Sequence, residues 1–221
     1  MNPLLPLVVP IFILLFNEIT LKVVENQDLL YKQIGDLENN LSQASFLEEN
    51  LSAEESFNRG LKNIETGDFK VAISNLTYTI SIKPDHSEAY YNRGLAYHNL
   101  GDLEHAIENY SKAIELNPND ADAYNNRGAG YNDLHDYDSA IDDYSKAIEL
   151  FPDLAEAYYN RAGVYEYLQY NDLAINDYSK AIEIDGSFID AICKQAKLYL
   201  EKNSEDKKAK SEIEENCKNI N

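Results

Sequence analysis

The chain has 221 residues, 44% of them apolar, enough to build one or two cored domains. Its 39 acidic side chains against 19 basic ones leave a formal charge of −20, which repels phosphate backbones and excludes nucleic acid as a natural partner. A partner drawn by charge is basic; otherwise the charge serves solubility.

Residues 1–22 carry an apolar run, Leu4–Phe16, shorter than a membrane span and about as long as a signal-peptide core. No Lys or Arg precedes it, no small-x-small site comes after it, and Pro6 and Pro10 disfavour a straight helix. Two readings stand. One is an export signal or membrane anchor, which makes the chain membrane-associated or exported. The other is a local hydrophobic arm on a cytoplasmic protein. From Val23 to Leu51 there is no proline, and Val23, Leu30, Ile34, Leu37, Leu41, Ala44 and Leu51 recur at helical spacing. Residues 23–52 are expected to form a helical stalk that dimerises weakly as a coiled coil, or a helix packed on the segment that begins at Ala53.

Beyond residue 52 the chain repeats itself. "YSKAIEL" stands at Tyr110–Leu116 and Tyr144–Leu150 and returns as "YSKAIEI" at Tyr178–Ile184, each copy 34 residues after the last. The period divides 53–188 into four copies, 53–86, 87–120, 121–154 and 155–188. In the second copy Tyr90, Gly94, Ala96 and Tyr97 mark one helix and Gly101-Asp102 breaks it. Ala106, Ile107, Tyr110, Ala113, Ile114 and Leu116 mark a second, which Asn117-Pro118 ends. Each copy is therefore a helix–turn–helix. Gly94, Gly128 and Ala162 at position eight, with Ala106, Ala140 and Ala174 at position twenty, let the two helices approach closely. Tyr97, Tyr131 and Tyr165, and the Tyr110, Tyr144 and Tyr178 series, fill the space between. One pair cannot bury its apolar face alone, whereas a stack can. Residues 189–221 read as a degenerate fifth pair that caps the stack, the final stretch offering only Ala209, Ile213, Cys217 and Ile220 to its neighbour.

An aromatic at position four, Gly or Ala at eight, Tyr at eleven, Ala at twenty, Tyr at twenty-four, Ala at twenty-seven and Pro at thirty-two together resemble the tetratricopeptide repeat. Copies two and three carry all seven; copy four has Gly186 in place of the proline; copy one keeps Gly60, Ala72 and Pro84. The resemblance implies an all-α, right-handed α-solenoid whose first helices line a concave groove for peptide segments of partner proteins. The function expected is a non-catalytic protein-interaction scaffold. The alternative is a structural module that self-assembles through its stalk and solenoid ends.

On the groove positions of the resemblance stand Asn58, Glu88, Tyr91, Asn92, Leu95, Asp122, Asn125, Asn126, Glu156, Tyr159 and Asn160, with Phe57, Leu61, His98, Asn132, Asp133, Glu166 and Tyr167 beside them. Asn58, Asn92, Asn126 and Asn160 form a file at position six, and an amide that both donates and accepts suits the backbone of an extended peptide. An exposed helical site that tolerates Asn is the plainer reading. Acidic groups dominate, so the expected partner is a basic or neutral peptide with aromatic anchors. Chaperone-binding members of the family clamp a C-terminal carboxylate with lysines; Phe57 and Asp122 stand at those positions, which argues against such a clamp here.

Position seven is Arg in every copy (Arg59, Arg93, Arg127, Arg161), and each is expected to pair with a second-helix residue such as Asn109, Asp143 or Asp177, because an unpaired buried charge is costly; the alternative is a row of cations facing a ligand. No phosphate loop, paired-His metal motif or Cys-x-x-Cys occurs, so neither catalysis nor a metal or other cofactor is expected. His86, His98, His105 and His135 occupy different repeat positions and read as solvated residues. Helical phase does not aim Cys193 and Cys217 at each other, so free thiols are favoured over a bridge.

Overall fold

A computed structural model of the chain describes residue 27 and residues 31–39 and 52–217. Met1–Ser52 and Ala53–Asn221 form two compact units. In the first, residues 31–39 are helical, with the side chains of Tyr31, Ile34 and Leu37 exposed. The apolar run Leu4–Phe16 and most of the stalk lie outside the described residues, among which no helix is long and apolar enough to cross a membrane.

The second unit is helical throughout its described length: α1 (53–65), α2 (Phe69–Ile82), α3 (Ser87–Asn99), α4 (Leu103–Leu116), α5 (Ala121–Asp133), α6 (Tyr137–Leu150), α7 (Ala155–Tyr167), α8 (Asn171–Ile184), α9 (Ile189–Lys202) and α10 (Lys207–Asn216). From α2 onward each helix packs on its neighbours in sequence, and α3 touches α5 as α5 touches α7. First helices therefore adjoin first helices and make one continuous face.

The repeated residues explain this packing. A Cβ on Gly94 would lie 2.9 Å from two ring atoms of Tyr110, and one on Gly128 would lie 2.9 and 3.0 Å from ring atoms of Tyr144. The position-eight glycine is thus the floor on which the position-twenty-four ring lies flat. Tyr110, Tyr144 and Tyr178 are fully buried, as are the alanines at positions twenty and twenty-seven. In copy one Leu76 and Thr79 take those places, and the Thr79 hydroxyl donates to the carbonyl oxygens of Ala53 and Asn75 at 3.3 and 3.1 Å. The turn between the paired helices needs a left-handed residue at position fifteen. Gly67 and Gly101 supply it at φ 78°, whereas His135 and Gln169 adopt φ 62° and 63° with side chains. Asp102, Asp120, Asp136 and Asp206 each accept a backbone N–H at the start of the next helix, capping it.

The position-seven arginines bind the copies together. Arg127 donates Nε and Nη2 to the two carboxylate oxygens of Asp143, both at 2.7 Å, and Nη1 to Ser111 of the preceding copy at 3.0 Å. Arg161 repeats the arrangement with Asp177 and Ser145. In the fifth pair Gln195 takes the same place and reaches Ser179 at 2.5 Å. Five of the seven residues of "YSKAIEL" thus have their place. Its Tyr and Ala fill the core, its Ser receives the next copy, and its Lys and Glu pair on the surface in all three occurrences. Arg59 departs from the expectation. It pairs with Glu55 one turn earlier, while Asn75, at position twenty-three, bonds to Asn63.

One further expectation is corrected. Cys193 and Cys217 form a disulfide, Cα–Cα 5.7 Å. Helical phase does not govern it, because α10 ends at Asn216 and Cys217 is its C-cap. α9 buries Leu198 and leaves Tyr199 beside it exposed.

Candidate functional site

On the first-helix face the expected residues occupy the surface, exposed or half-buried. Phe57 is the exception; it is 7% exposed, stacks on His86 at 4.6 Å and joins Leu76 in the core, so position five of copy one offers nothing to a ligand. The asparagine file is partly spoken for. Asn126 Nδ2 donates to Tyr91 Oη at 2.7 Å, Asn160 Nδ2 donates to Asn125 Oδ1 at 3.1 Å, and Asn92 Nδ2 donates to the carbonyl of Glu88 at 2.8 Å. The first two link position six of one copy to position five of the copy before. Each amide keeps its carbonyl oxygen and one N–H for a further partner. Asn58, exposed on copy one, joins none of these links, and Leu95 is half-buried between them.

The electrostatics of this face are those of clustered carboxylates. The Asp122 carboxyl is held above its ordinary value by partial burial and then by the charges of Asp120 and Glu156. Tyr91 is pushed up to about 12 by burial and by Asp122 and Asp120, with the Asn126 hydrogen bond opposing. Tyr159 is raised by burial, then by Asp190 and Glu166. Every shift favours the form that carries less negative charge, with burial the largest cause at each group and the nearby carboxylates adding to it.

Further along the face, between α5, α7 and α9, lies a cleft of about 540 Å³ walled by Tyr144, Tyr159, Tyr167 and Tyr178, with Asn160 and Lys194 at its sides. Of the expected binding residues, Tyr159 and Asn160 line it. Gly163 makes the room: position nine is Leu61, Leu95 or Ala129 in the other copies, and a Cβ on Gly163 would come no nearer than 4.0 Å to Tyr178 Oη. That small residue at a groove position is the signal in the sequence that could have located the cleft. Tyr178 donates to Glu166 Oε2 at 2.7 Å, and Lys194 pairs with Glu166 Oε1 at 3.3 Å. His98 and Asp133, at positions twelve and thirteen of adjoining copies, meet at 2.9 Å. His98 is thus a bridge between repeats and not merely a solvated side chain.

Models of the tetratricopeptide repeat match residues 87–120, 121–154 and 155–188. The chain belongs to the tetratricopeptide-repeat family. Two crystal structures of MamA share 31% and 29% of its residues. The match covers 70% and 77% of this chain and 94% and 96% of theirs, at TM-scores of 0.64 and 0.66. The first tetratricopeptide domain of Spaghetti (RPAP3), solved with an HSP90 peptide, shares the fold at 23% identity and TM-score 0.51, over 52% of this chain and 91% of that one. No curated protein matches the chain in sequence. Tetratricopeptide arrays are protein–protein interaction scaffolds and in general non-catalytic.

Proposed function

We propose that the tetratricopeptide array holds a basic or neutral segment of a partner protein along its first-helix face. The aromatic-walled cleft beside Asn160 carries this reading. Tyrosine rings take an aromatic anchor or the stem of a Lys or Arg, and the remaining groups of Asn92, Asn126 and Asn160 suit an extended backbone. Glu88, Asp122 and Glu156 supply the attraction for positive charge. The test is selection from a random peptide library, then titration against an Asn92/Asn126/Asn160→Ala variant of unchanged helix content. Selected peptides should be rich in Lys, Arg and aromatics and should lose affinity for the variant. Acidic selected peptides, or an unaffected variant, would refute it.

A second reading is favoured by the exposed Ile34 and Leu37 of the first unit. Here residues 23–52 pair two copies weakly, and deletion of 1–52 would abolish the dimer seen by sedimentation. The Cys193–Cys217 bridge suits an oxidising compartment, in keeping with membrane association or export through residues 1–22. Cell fractionation with thiol trapping decides this, and a reduced protein in the cytosol would overturn it.

A further inference from the structure

Position twenty-three answers the position-seven arginine in copies two, three and four, but not with the same chemistry. Copies three and four place Asp143 and Asp177 there; copy two places Asn109, itself buried. Arg93 donates Nε to Asn109 Oδ1 at 2.7 Å and Nη1 to Thr77 Oγ1 at 3.0 Å. Its Nη2 has no acceptor among the described residues, although the same atom of Arg127 and Arg161 meets a second carboxylate oxygen at 2.7 and 3.0 Å. The matching atom of Asn109 is Nδ2, a donor already given to the His105 carbonyl at 2.7 Å. Arg93 is therefore a half-buried cation short of both a counter-charge and one bond.

It is also open to the outside. A cleft of about 620 Å³ between α2, α3 and α4 is lined by Arg93, Tyr90, Tyr97 and Lys112, and shares no residue with the cleft on the first-helix face. The Tyr90 ring lies 5.4 Å from the guanidinium carbon and steadies its plane. Two acids line the cleft: Glu115 is occupied by Lys112 at 2.8 Å, and Glu108 makes no ion pair among the described residues. His105 stands at the rim with its ring held by Asp102 at 2.8 Å, a hydrogen bond that raises the imidazole above its ordinary value. The overall negative charge of the chain is screened beyond about 10 Å at ordinary salt, which leaves Arg93 and Glu108 as the charges of the cleft outside an ion pair among the described residues.

We propose that this cleft binds a carboxylate of a protein partner, which accepts from Arg93 Nη2, the donor that Asp143 and Asp177 satisfy internally in the next two copies. A planar carboxylate is the acceptor that this guanidinium geometry already holds twice in the same molecule. The site lies on position seven and the second helix, apart from the groove.

The test tracks the Arg93 Nε–Hε resonance of the full chain by NMR. The probes are N-acetylglutamate amide (a side-chain carboxylate), N-acetylalanine (a chain-end carboxylate), N-acetylglutamine amide as neutral isostere, and inorganic phosphate. The carboxylates should shift the resonance and the amide should not; the tighter of the two names the source. Asn109→Asp installs the internal acceptor and should weaken carboxylate binding at least about tenfold. Arg93→Gln copies Gln195, which already fits this position in the fifth pair, and should abolish the effect on neighbouring resonances while the fold persists. Equal binding by Asn109→Asp would overturn the proposal, as would tighter binding of phosphate. So would binding that appears only in Glu108→Gln, since Glu108 would then fill the site itself.

Discussion

Replacing Asp143 by Asn copies into copy three the arrangement that copy two has by nature. The wild-type pair is bidentate, with both bonds at 2.7 Å and side chains 18% and 9% exposed, so most of the charge is shielded from water. The Asp143→Asn side chain would keep one acceptor for Nε, as Asn109 does at 2.7 Å, and lose the Nη2 bond with its counter-charge. A hydrogen bond to a charged group contributes about 1.5–3 kcal/mol, and removal of one partner from a buried pair costs about 3–5 kcal/mol. Because one bond survives and copy two folds with it, the lower part of the range applies, about 2 kcal/mol. For a chain of this size that lowers Tm by about 4–8 °C. Urea unfolding should show a lower midpoint at unchanged slope, and hydrogen exchange should quicken first in α5 and α6. A loss below about 0.5 kcal/mol would mean that solvent screens the pair. Ser111 and the Tyr124 and Tyr131 rings at 5.5 and 5.9 Å would then hold the guanidinium without it.

Tyr110 Oη is buried without a hydrogen-bond partner among the described residues, whereas Tyr178 Oη donates to Glu166. Tyr110→Phe should therefore be neutral or raise Tm, while Tyr178→Phe should lose about 1.5–3 kcal/mol by thermal melts; the reverse order would sink the argument. Gln169→Gly removes a side chain from a left-handed residue and should stabilise by about 1 kcal/mol, while Gly101→Ala should destabilise by a similar amount. Equal Tm values for Gln169→Gly and wild type would count against strain at that turn. Asp122 binds its proton more tightly folded than unfolded. Its contribution to stability is present below the ordinary carboxylate value and is lost as pH rises through the raised folded value. Asp122→Asn should accordingly melt higher than wild type at neutral pH, the difference shrinking on acidification; a lower Tm at neutral pH would refute the sign.

Legibility in the sequence falls with distance along the chain. The helix pairs, the small-residue floor and the buried tyrosines depend on spacings within one copy, and the period exposes the first two four times and the tyrosines three. Arg127–Asp143 and Arg161–Asp177 can be anticipated because both partners recur in the same copy. Contacts between copies are harder. Asn126–Tyr91, Asn160–Asn125 and His98–Asp133 all join residues 35 apart, one more than the period, because a first helix leans on the next with a one-residue offset. No pattern inside a single copy announces that offset. Phe57 eludes the sequence for a related reason: groove positions taken from the later copies do not transfer to one whose core is built on Leu76 and Thr79. The disulfide turns on α10 ending at Asn216, which makes Cys217 a C-cap and not a member of the helical stripe suggested by Ala209, Ile213, Cys217 and Ile220.

The confinement of contacts from α2 to α10 to adjoining helices and adjoining copies also decides how the array would bear a load. Pulled from its two ends, a chain whose helices hold only those of the same and adjoining copies yields pair by pair, each 34-residue copy releasing about 110 Å of contour. The last pair cannot unravel as the others do. The bridge between Cys193 and Cys217 withholds the 24-residue stretch between them, roughly 80 Å, until it is reduced. One end of the molecule is therefore a spring of equal coils, and the other a knot that only chemistry unties.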